Sequence, residues 1–371
     1  MAPEQNTMIS HPDIKRHAGE HYQWLDFLRF TAALMVVFSH VRGFLFLDYG
    51  ALDPSSRNFV TAAFFAFTRL GHEAVIVFFV LSGYLVGGKA VERIAKGNFQ
   101  PSDYAIDRIA RLWVPLVPAL LLSAALGARS EGVLTWIGNL LGLQGVLVPM
   151  FGGNGPLWSL AYEIWFYVLA YAIGRQAIRK TLDVPALLIF VAVALVFTTL
   201  EVHYLACWLI GAAFFVRPHR LSPMIGLATA AVLAGVAVVG LQMTAAGVMA
   251  ATGASNGLRA AFEILLAIGT SVGCNSLVAL KPTRIATMSV PLAAFSYTLY
   301  LTHYPLLLAL KESGWQRIAS LDARAFGMYG AAVALCLVIA WAIYWPFERN
   351  TGHIRNFIKR SFRRSQAATA S

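Results

Sequence analysis

Apolar runs of about 20 residues, separated by short polar loops, recur from end to end of this 371-residue chain. A run of that length matches a bilayer-spanning helix, and this restricts the fold more than any motif does. A helix satisfies all its backbone groups within one segment, so lipid-buried runs of this kind read as all-α. Hydrophobic residues make up 58% of the chain and charged ones only 13%, against roughly 25% charged in an average soluble protein. A soluble domain, a disordered chain and a fibrous repeat are therefore excluded. The expected class is a polytopic integral membrane protein with about ten transmembrane helices.

Those helices are expected near 24–47, 72–91, 108–127, 157–175, 184–200, 203–217, 223–242, 259–280, 291–310 and 325–347. A weaker amphipathic stretch near 133–147 reads as re-entrant or interfacial. Twenty of the 29 Lys and Arg residues fall in alternate loops. They are Lys15, Arg16, Lys89, Arg93, Lys96, Arg108, Arg111, Arg175, Arg179, Lys180, Arg217, Arg220, Lys281, Arg284 and six between Arg349 and Arg364. That side should be cytoplasmic, with both termini on it. The opposite loops hold Arg42, Arg57, Arg69, Arg129, Arg259, Lys311, Arg317 and Arg324. The chain thus divides into a cytoplasmic N-terminal tail (1–23), a membrane domain (24–347) and a basic cytoplasmic C-terminal tail (348–371) flanking the last span.

The same asymmetry accounts for the net charge of +11, so nucleic acid is not an expected partner; anionic membrane lipid is. Cys207, Cys274 and Cys336 each stand alone in an apolar run, without metal-ligand or disulfide spacing. No metal site and no permanently bound cofactor are expected. The first 22 residues are polar and the run after them is too long for a signal h-region, so no cleavable signal is expected.

Ionisable residues inside a span are costly unless they face protein or water. The first span carries Arg29 and His40, eleven residues apart. That spacing puts them on one helix face, about 16 Å apart along the axis. Asp26, one turn before Arg29, can pair with it. An imidazole within the membrane suits general-base work, and a guanidinium suits a phosphate or carboxylate.

Arg29-x10-His40 resembles the signature of the acyltransferase-3 family, bacterial membrane O-acyltransferases with ten spans. Four further stretches resemble family motifs in order. They are Val77-Phe-Phe-Val-Leu-Ser82-Gly83-Tyr84; Arg108-Ile-Ala-Arg111 with Trp113, Pro115 and Pro118; Pro156-Leu-Trp158-Ser159-Leu-Ala-Tyr162-Glu163-Ile-Trp-Phe166-Tyr167; and Phe295-Ser296-Tyr297-Thr-Leu-Tyr300-Leu-Thr-His303-Tyr304-Pro305. The chain departs from the family where Phe27 replaces a common Gly, where Glu163 stands alone in place of a double acid, and where Thr302 replaces Trp.

The resemblance implies transfer of an acyl group, commonly acetyl, from acyl-coenzyme A to a hydroxyl of an envelope polysaccharide or lipid-linked oligosaccharide. It implies a bacterial inner-membrane location, a cytoplasmic donor and an often periplasmic acceptor. Arg29, Arg108 and Arg111 would meet the donor phosphates, with Arg108 and Arg111 on one side of a helix start. His40 and His303 enter their spans from the same side and should lie at similar depth. His40 is the expected base, either deprotonating the acceptor or relaying the acyl group; His303 is a partner or acceptor-site residue. Glu163 could orient a histidine or bind acceptor hydroxyls. Trp158, Tyr162, Tyr297 and Tyr300 could stack on sugar faces. Ser82-Gly83 permits close helix approach.

A different class of function, a proton-coupled transporter or exporter of a polar solute, would use His40, His303 and Glu163 as its relay. That class tends to show inverted repeats and paired broken helices, and neither is visible in the sequence. A glycan-binding scaffold without chemistry is a third reading. Coenzyme A separates them, because only the enzyme should bind it and release free thiol.

Overall fold

The computed structural model describes residues 22–127, 131–179, 181–245 and 255–370. Most of the expected N-terminal tail, with Lys15 and Arg16, lies outside the described residues, as do Arg129 and Lys180.

The described chain is all-helical. The first long helix, α1 (Gln23–Leu45), is followed by a short α2 (Phe59–Thr68) whose first turn is capped by Asn58, Oδ1 accepting from Thr61 N. Next come α3 (Gly71–Ser82), a single π turn over Gly83–Gly87, and α4 (Gly88–Ala95). The π turn sits where α3 meets a later helix: a Cβ on Gly83 would lie 1.9 Å from the Trp208 carbonyl oxygen. Only glycine permits that approach, as expected for Ser82-Gly83. Then follow α5 (Pro101–Leu126), α6 (Val133–Leu140), α7 (Leu157–Ala177), α8 (Val184–Val196), α9 (Val202–Val216), α10 (Pro223–Ala245) and α11 (Ser255–Val278). The last four are α12 (Arg284–Ala294), α13 (Ser296–Glu312), α14 (Ala323–Tyr344) and α15 (Thr351–Ala370).

Among the described residues, seven helical stretches are long and apolar enough to cross a membrane. An eighth is gained if α12 and α13, bent by 55°, count as one. The ten apolar units expected from the sequence all appear as helix, but α8 and α9 are only 13 and 15 residues long. At 1.5 Å per residue each covers about 20 Å, short of a hydrocarbon core of about 30 Å. The stretch expected near 133–147 contains the short α6, and its chain then turns back. Buried Asn139 closes this turn, donating to Thr135 O and Pro149 O and accepting from Phe151 N.

α1 lies at the centre, packed on α3 along one side and on α12, α13 and α14 along the other. One core cluster fills the space among α3, α5, α7, α9 and α11, including Ile76, Leu116, Leu160 and Phe166. A second joins α1 to α13 and α14 through Val37, Val41, Leu299 and Cys336. The polar groups of interest lie along the first seam and between the two clusters.

Candidate active site

Two helices bring His40 and His303 into contact. Pro305 in α13 has no N–H to give the carbonyl one turn back, and buried Asn154 supplies the missing donor, Nδ2 to Leu301 O at 3.0 Å. This bond ties the loop before α7 to the face of α13. The tie is extended by Tyr300, whose hydroxyl donates to Pro156 O (3.1 Å) and lies 2.6 Å from Ser159 Oγ. One turn along from Tyr300, His303 Nδ1 lies 3.0 Å from Leu299 O. Its Nε2 is 2.9 Å from His40 Nδ1, and the two ring planes lie within 15° of parallel with centroids 5.1 Å apart. His303 is fully buried, whereas His40 is half-buried, with the Tyr304 ring edge-on to it at 5.1 Å.

Near this pair lies a cavity of about 610 Å³ whose lining includes Tyr300, 6.1 Å from the His303 ring. Arg29, Lys89, Arg93, Arg108, Arg111 and Arg355 line it, with only Asp26, Asp107 and Glu163 as acids, and Ser159 and Tyr300 at the end nearest the histidines. Arg29 pairs with Asp26 at 3.1 Å, as the one-turn spacing predicts. The Arg108 guanidinium lies over the rings of Tyr104 (5.9 Å) and Tyr167 (5.4 Å). Arg111 donates to Glu348 Oε1 at 2.7 Å. The other oxygen of Glu348 accepts from Thr298 N (3.0 Å) and Thr298 Oγ1 (2.6 Å), so the carboxylate also caps the start of α13. Glu163 accepts from Tyr167 at 2.5 Å, and Tyr167 in turn lies 3.0 Å from Ser82 Oγ.

Thr351, Gly352 and Arg355 of α15 form part of the cavity wall. Farther along α15, Lys359 pairs with Asp107 (2.9 Å) and Asp103 (3.6 Å), and Arg363 with Asp103 (3.5 Å). The basic C-terminal segment is therefore built into the bundle and does not hang from it.

Six cationic side chains thus line one cavity in the neighbourhood of the histidine pair. A family model for an acyltransferase domain matches residues 22–345, most of the chain. The chain belongs to the acyltransferase-3 family. No curated protein and no solved structure matches it.

Within this acyltransferase, six of the residues singled out by sequence meet at the cavity: Arg29, Arg108, Arg111, Glu163, Tyr297 and Tyr300. His40 and His303 meet each other but do not line it. The ring nitrogens that join them are bonded to each other and to Leu299 O, with Glu163 in neither bond. Trp158 and Tyr162 stand apart. Trp158 stacks on His72 at 6.1 Å, and the Tyr162 hydroxyl accepts from Glu201 N at 3.0 Å. Tyr297 and Tyr300 thus share the cationic cavity, and the four aromatic residues do not form one platform.

Trp158 and Tyr162 border a polar cluster that sequence reasoning missed. Fully buried Glu263 in α11 lies 2.6 Å from His72 Nε2, 2.5 Å from His203 Nε2 and 3.1 Å from Arg259 Nε. The cost of an ionisable residue in an apolar run, which drew attention to Glu163, applies equally to Glu263. Ser159 and Tyr167 stood in a quoted motif without a role of their own, and Glu348 was missed. Glu348 carried a signal, being an acid just past the last apolar helix in an otherwise basic segment.

Proposed function

We propose that the protein moves an acyl group, most simply acetyl, from acyl-coenzyme A to a hydroxyl of an envelope polysaccharide or lipid-linked oligosaccharide. The observation that carries this reading is the set of six cationic side chains around a cavity whose lining residue Tyr300 lies 6.1 Å from the His303 ring. Arg29, Arg108 and Arg111 are assigned to the donor's phosphates, Arg108 and Arg111 as a clamp projecting from one side of α5. His40 takes the proton of the acceptor hydroxyl as its oxygen attacks the thioester carbon. Glu163, held by Tyr167 within the cavity, is assigned to hold the acceptor hydroxyl or the donor amide in place. Of the aromatic candidates, Trp158 is assigned to the acceptor side. Tyr162 frames it, and Tyr297 and Tyr300 line the donor route.

The location that fits is the bacterial inner membrane, with ten crossings, α8 and α9 being short ones, and both termini cytoplasmic. The alternation of Lys and Arg between loops supports this orientation. The cationic cavity then faces the cytoplasm, where the acyl donor is made, and membrane lipids surround the bundle. The proton-coupled transporter reading gains no support from the family match.

The test is turnover in inside-out membrane vesicles supplied with radiolabelled acetyl-coenzyme A and an envelope glycan fraction. The expected result is release of free thiol together with label in the glycan, both lost in vesicles lacking the protein. Thiol release and glycan label no higher than in control vesicles would overturn the reading. Mass spectrometry of surface glycans from cells with and without the gene then identifies the acceptor by a difference of one acyl unit.

A further inference from the structure

We infer that His303 is a positioning residue that holds His40 in a single tautomer, leaving the His40 Nε2 lone pair as the atom that accepts the substrate proton. This inference deepens the acyl-transfer reading above and rests on it. It follows from counting hydrogens along one chain of contacts. Leu299 O can only accept, so His303 Nδ1, 3.0 Å away, carries a hydrogen. A neutral His303 then presents a bare lone pair at Nε2. His40 Nδ1 lies 2.9 Å from that lone pair, so it must carry the hydrogen of this second bond. A neutral His40 has one hydrogen to place, and its Nε2 is left unprotonated.

The competing assignment would protonate both nitrogens of His303 and reverse the second bond. It would place a full charge on a ring with no exposed surface, with no Asp or Glu in ion-pair reach of either histidine among the described residues. An uncompensated buried charge of that kind is strongly disfavoured.

Burial divides the roles in the same way. His303 is fully enclosed and cannot touch a substrate, while His40 is half-buried at the edge of the pair. The arrangement has the logic of a base oriented by a third group, with a backbone carbonyl and a neutral imidazole as the orienting groups. It also explains the framework around Pro305. The Asn154 bond to Leu301 O and the Tyr300 bonds fix the turn of α13 that carries His303.

The step balances without a proton passing through His303. The acceptor O–H bond breaks and its proton moves to His40 Nε2. The acceptor oxygen forms a bond to the acyl carbon, and the carbon–sulfur bond breaks. The Nε2 proton then passes to the departing thiolate, giving free thiol and the starting tautomer. Throughout, the Nδ1 hydrogen of His40 stays on the bond to His303, which steadies the transient imidazolium.

Two substitutions separate positioning from proton transfer. His303→Gln can present an amide oxygen near the place of Nε2 and cannot titrate; His303→Leu fills the space and offers no acceptor. In purified full-length protein, His303→Leu should lower kcat by about 10²-fold, within the range for general-base assistance, with KM for acetyl-coenzyme A unchanged. His303→Gln should keep kcat within about threefold of wild type, while His40→Gln, lacking a base altogether, falls by the full range of about 10²–10⁴-fold. If His303→Gln is as inactive as His40→Gln, His303 itself carries a proton and the inference is wrong. Full activity in His303→Leu would reduce the pair to packing.

An independent readout is 15N NMR of histidine-labelled wild-type protein, with the two signals assigned by their loss in His40→Gln and His303→Gln. The expected pattern is protonated Nδ1 and bare Nε2 on both rings, and it is readable even if no acyl transfer is detected. The opposite tautomer on either ring overturns the inference, whereas absent turnover with the expected tautomers overturns only the acyl-transfer reading.

Discussion

The histidine pair beside the cationic cavity and the Glu263 cluster are built from similar side chains and come to opposite electrostatic ends. At Glu263, a fully buried carboxylate is met by His72, His203 and Arg259 from α3, α9 and α11. Arg259 Nη2 also reaches His72 Nε2 at 3.2 Å, and none of these residues lines the cavity. The side chains of the cluster face one another, so it joins three helices. At the histidine pair, one ring is buried with both nitrogens bonded, while the other is half-buried with one nitrogen in the shared bond. Residue type alone would rank both clusters as functional. On the reading proposed above, the Glu263 cluster is a structural clasp and the histidine pair the reactive centre.

The comparison can be broken in order of expected effect. The largest effect is assigned to His40→Ala, which should reduce acyl transfer by roughly 10²–10⁴-fold while expression, membrane insertion and donor binding persist. Thiol release from acetyl-coenzyme A measures it, and near-normal turnover in a well-inserted variant would remove His40 from the mechanism. Glu263→Ala should act on stability. Deleting one partner of a buried charged network costs about 3–5 kcal/mol, seen as an earlier melting transition in detergent, with kcat of the folded fraction close to wild type. A loss of kcat without a change in melting would instead make the cluster part of the active site.

The arginines sharpen the cavity half of the comparison. Arg108→Ala removes a charge-assisted contact worth about 1.5–3 kcal/mol and should raise KM for the donor by about ten- to a hundredfold, with melting unchanged. Arg111→Ala should raise KM similarly but also lower the melting transition, because it strands the buried Glu348 carboxylate. If both variants bind donor normally, the basic residues of α5 report topology only. The smallest effect is expected outside both regions, at Asp322, whose side chain caps α14 by accepting from Ala325 N at 2.8 Å. Asp322→Ala should cost about 1 kcal/mol in a thermal scan and leave turnover untouched.

Much of this was legible in the sequence because it depends on local spacing. Apolar run length marks the helices, and distance from the entry side places His40 and His303 at one depth. The i, i+3 spacing of Arg108 and Arg111 puts both at the same cavity. What escaped depends on contacts between residues far apart in the chain. No local pattern joins Arg111 to Glu348, or Asn154 to the carbonyl that Pro305 leaves without a donor. The break between α12 and α13 at Phe295 was equally hidden, because its polar groups are satisfied by Glu348 from beyond α14. The aromatic residues were grouped by type, yet Trp158 and Tyr162 point to a different cluster from Tyr297 and Tyr300.

The position of Glu348 in the chain has a consequence for biosynthesis. This carboxylate completes both the Arg111 ion pair and the cap of α13, yet it follows every apolar helix of the bundle. A nascent chain with its apolar helices made but its last two dozen residues still in the ribosome lacks the α15 part of the cavity wall and the partner of Arg111.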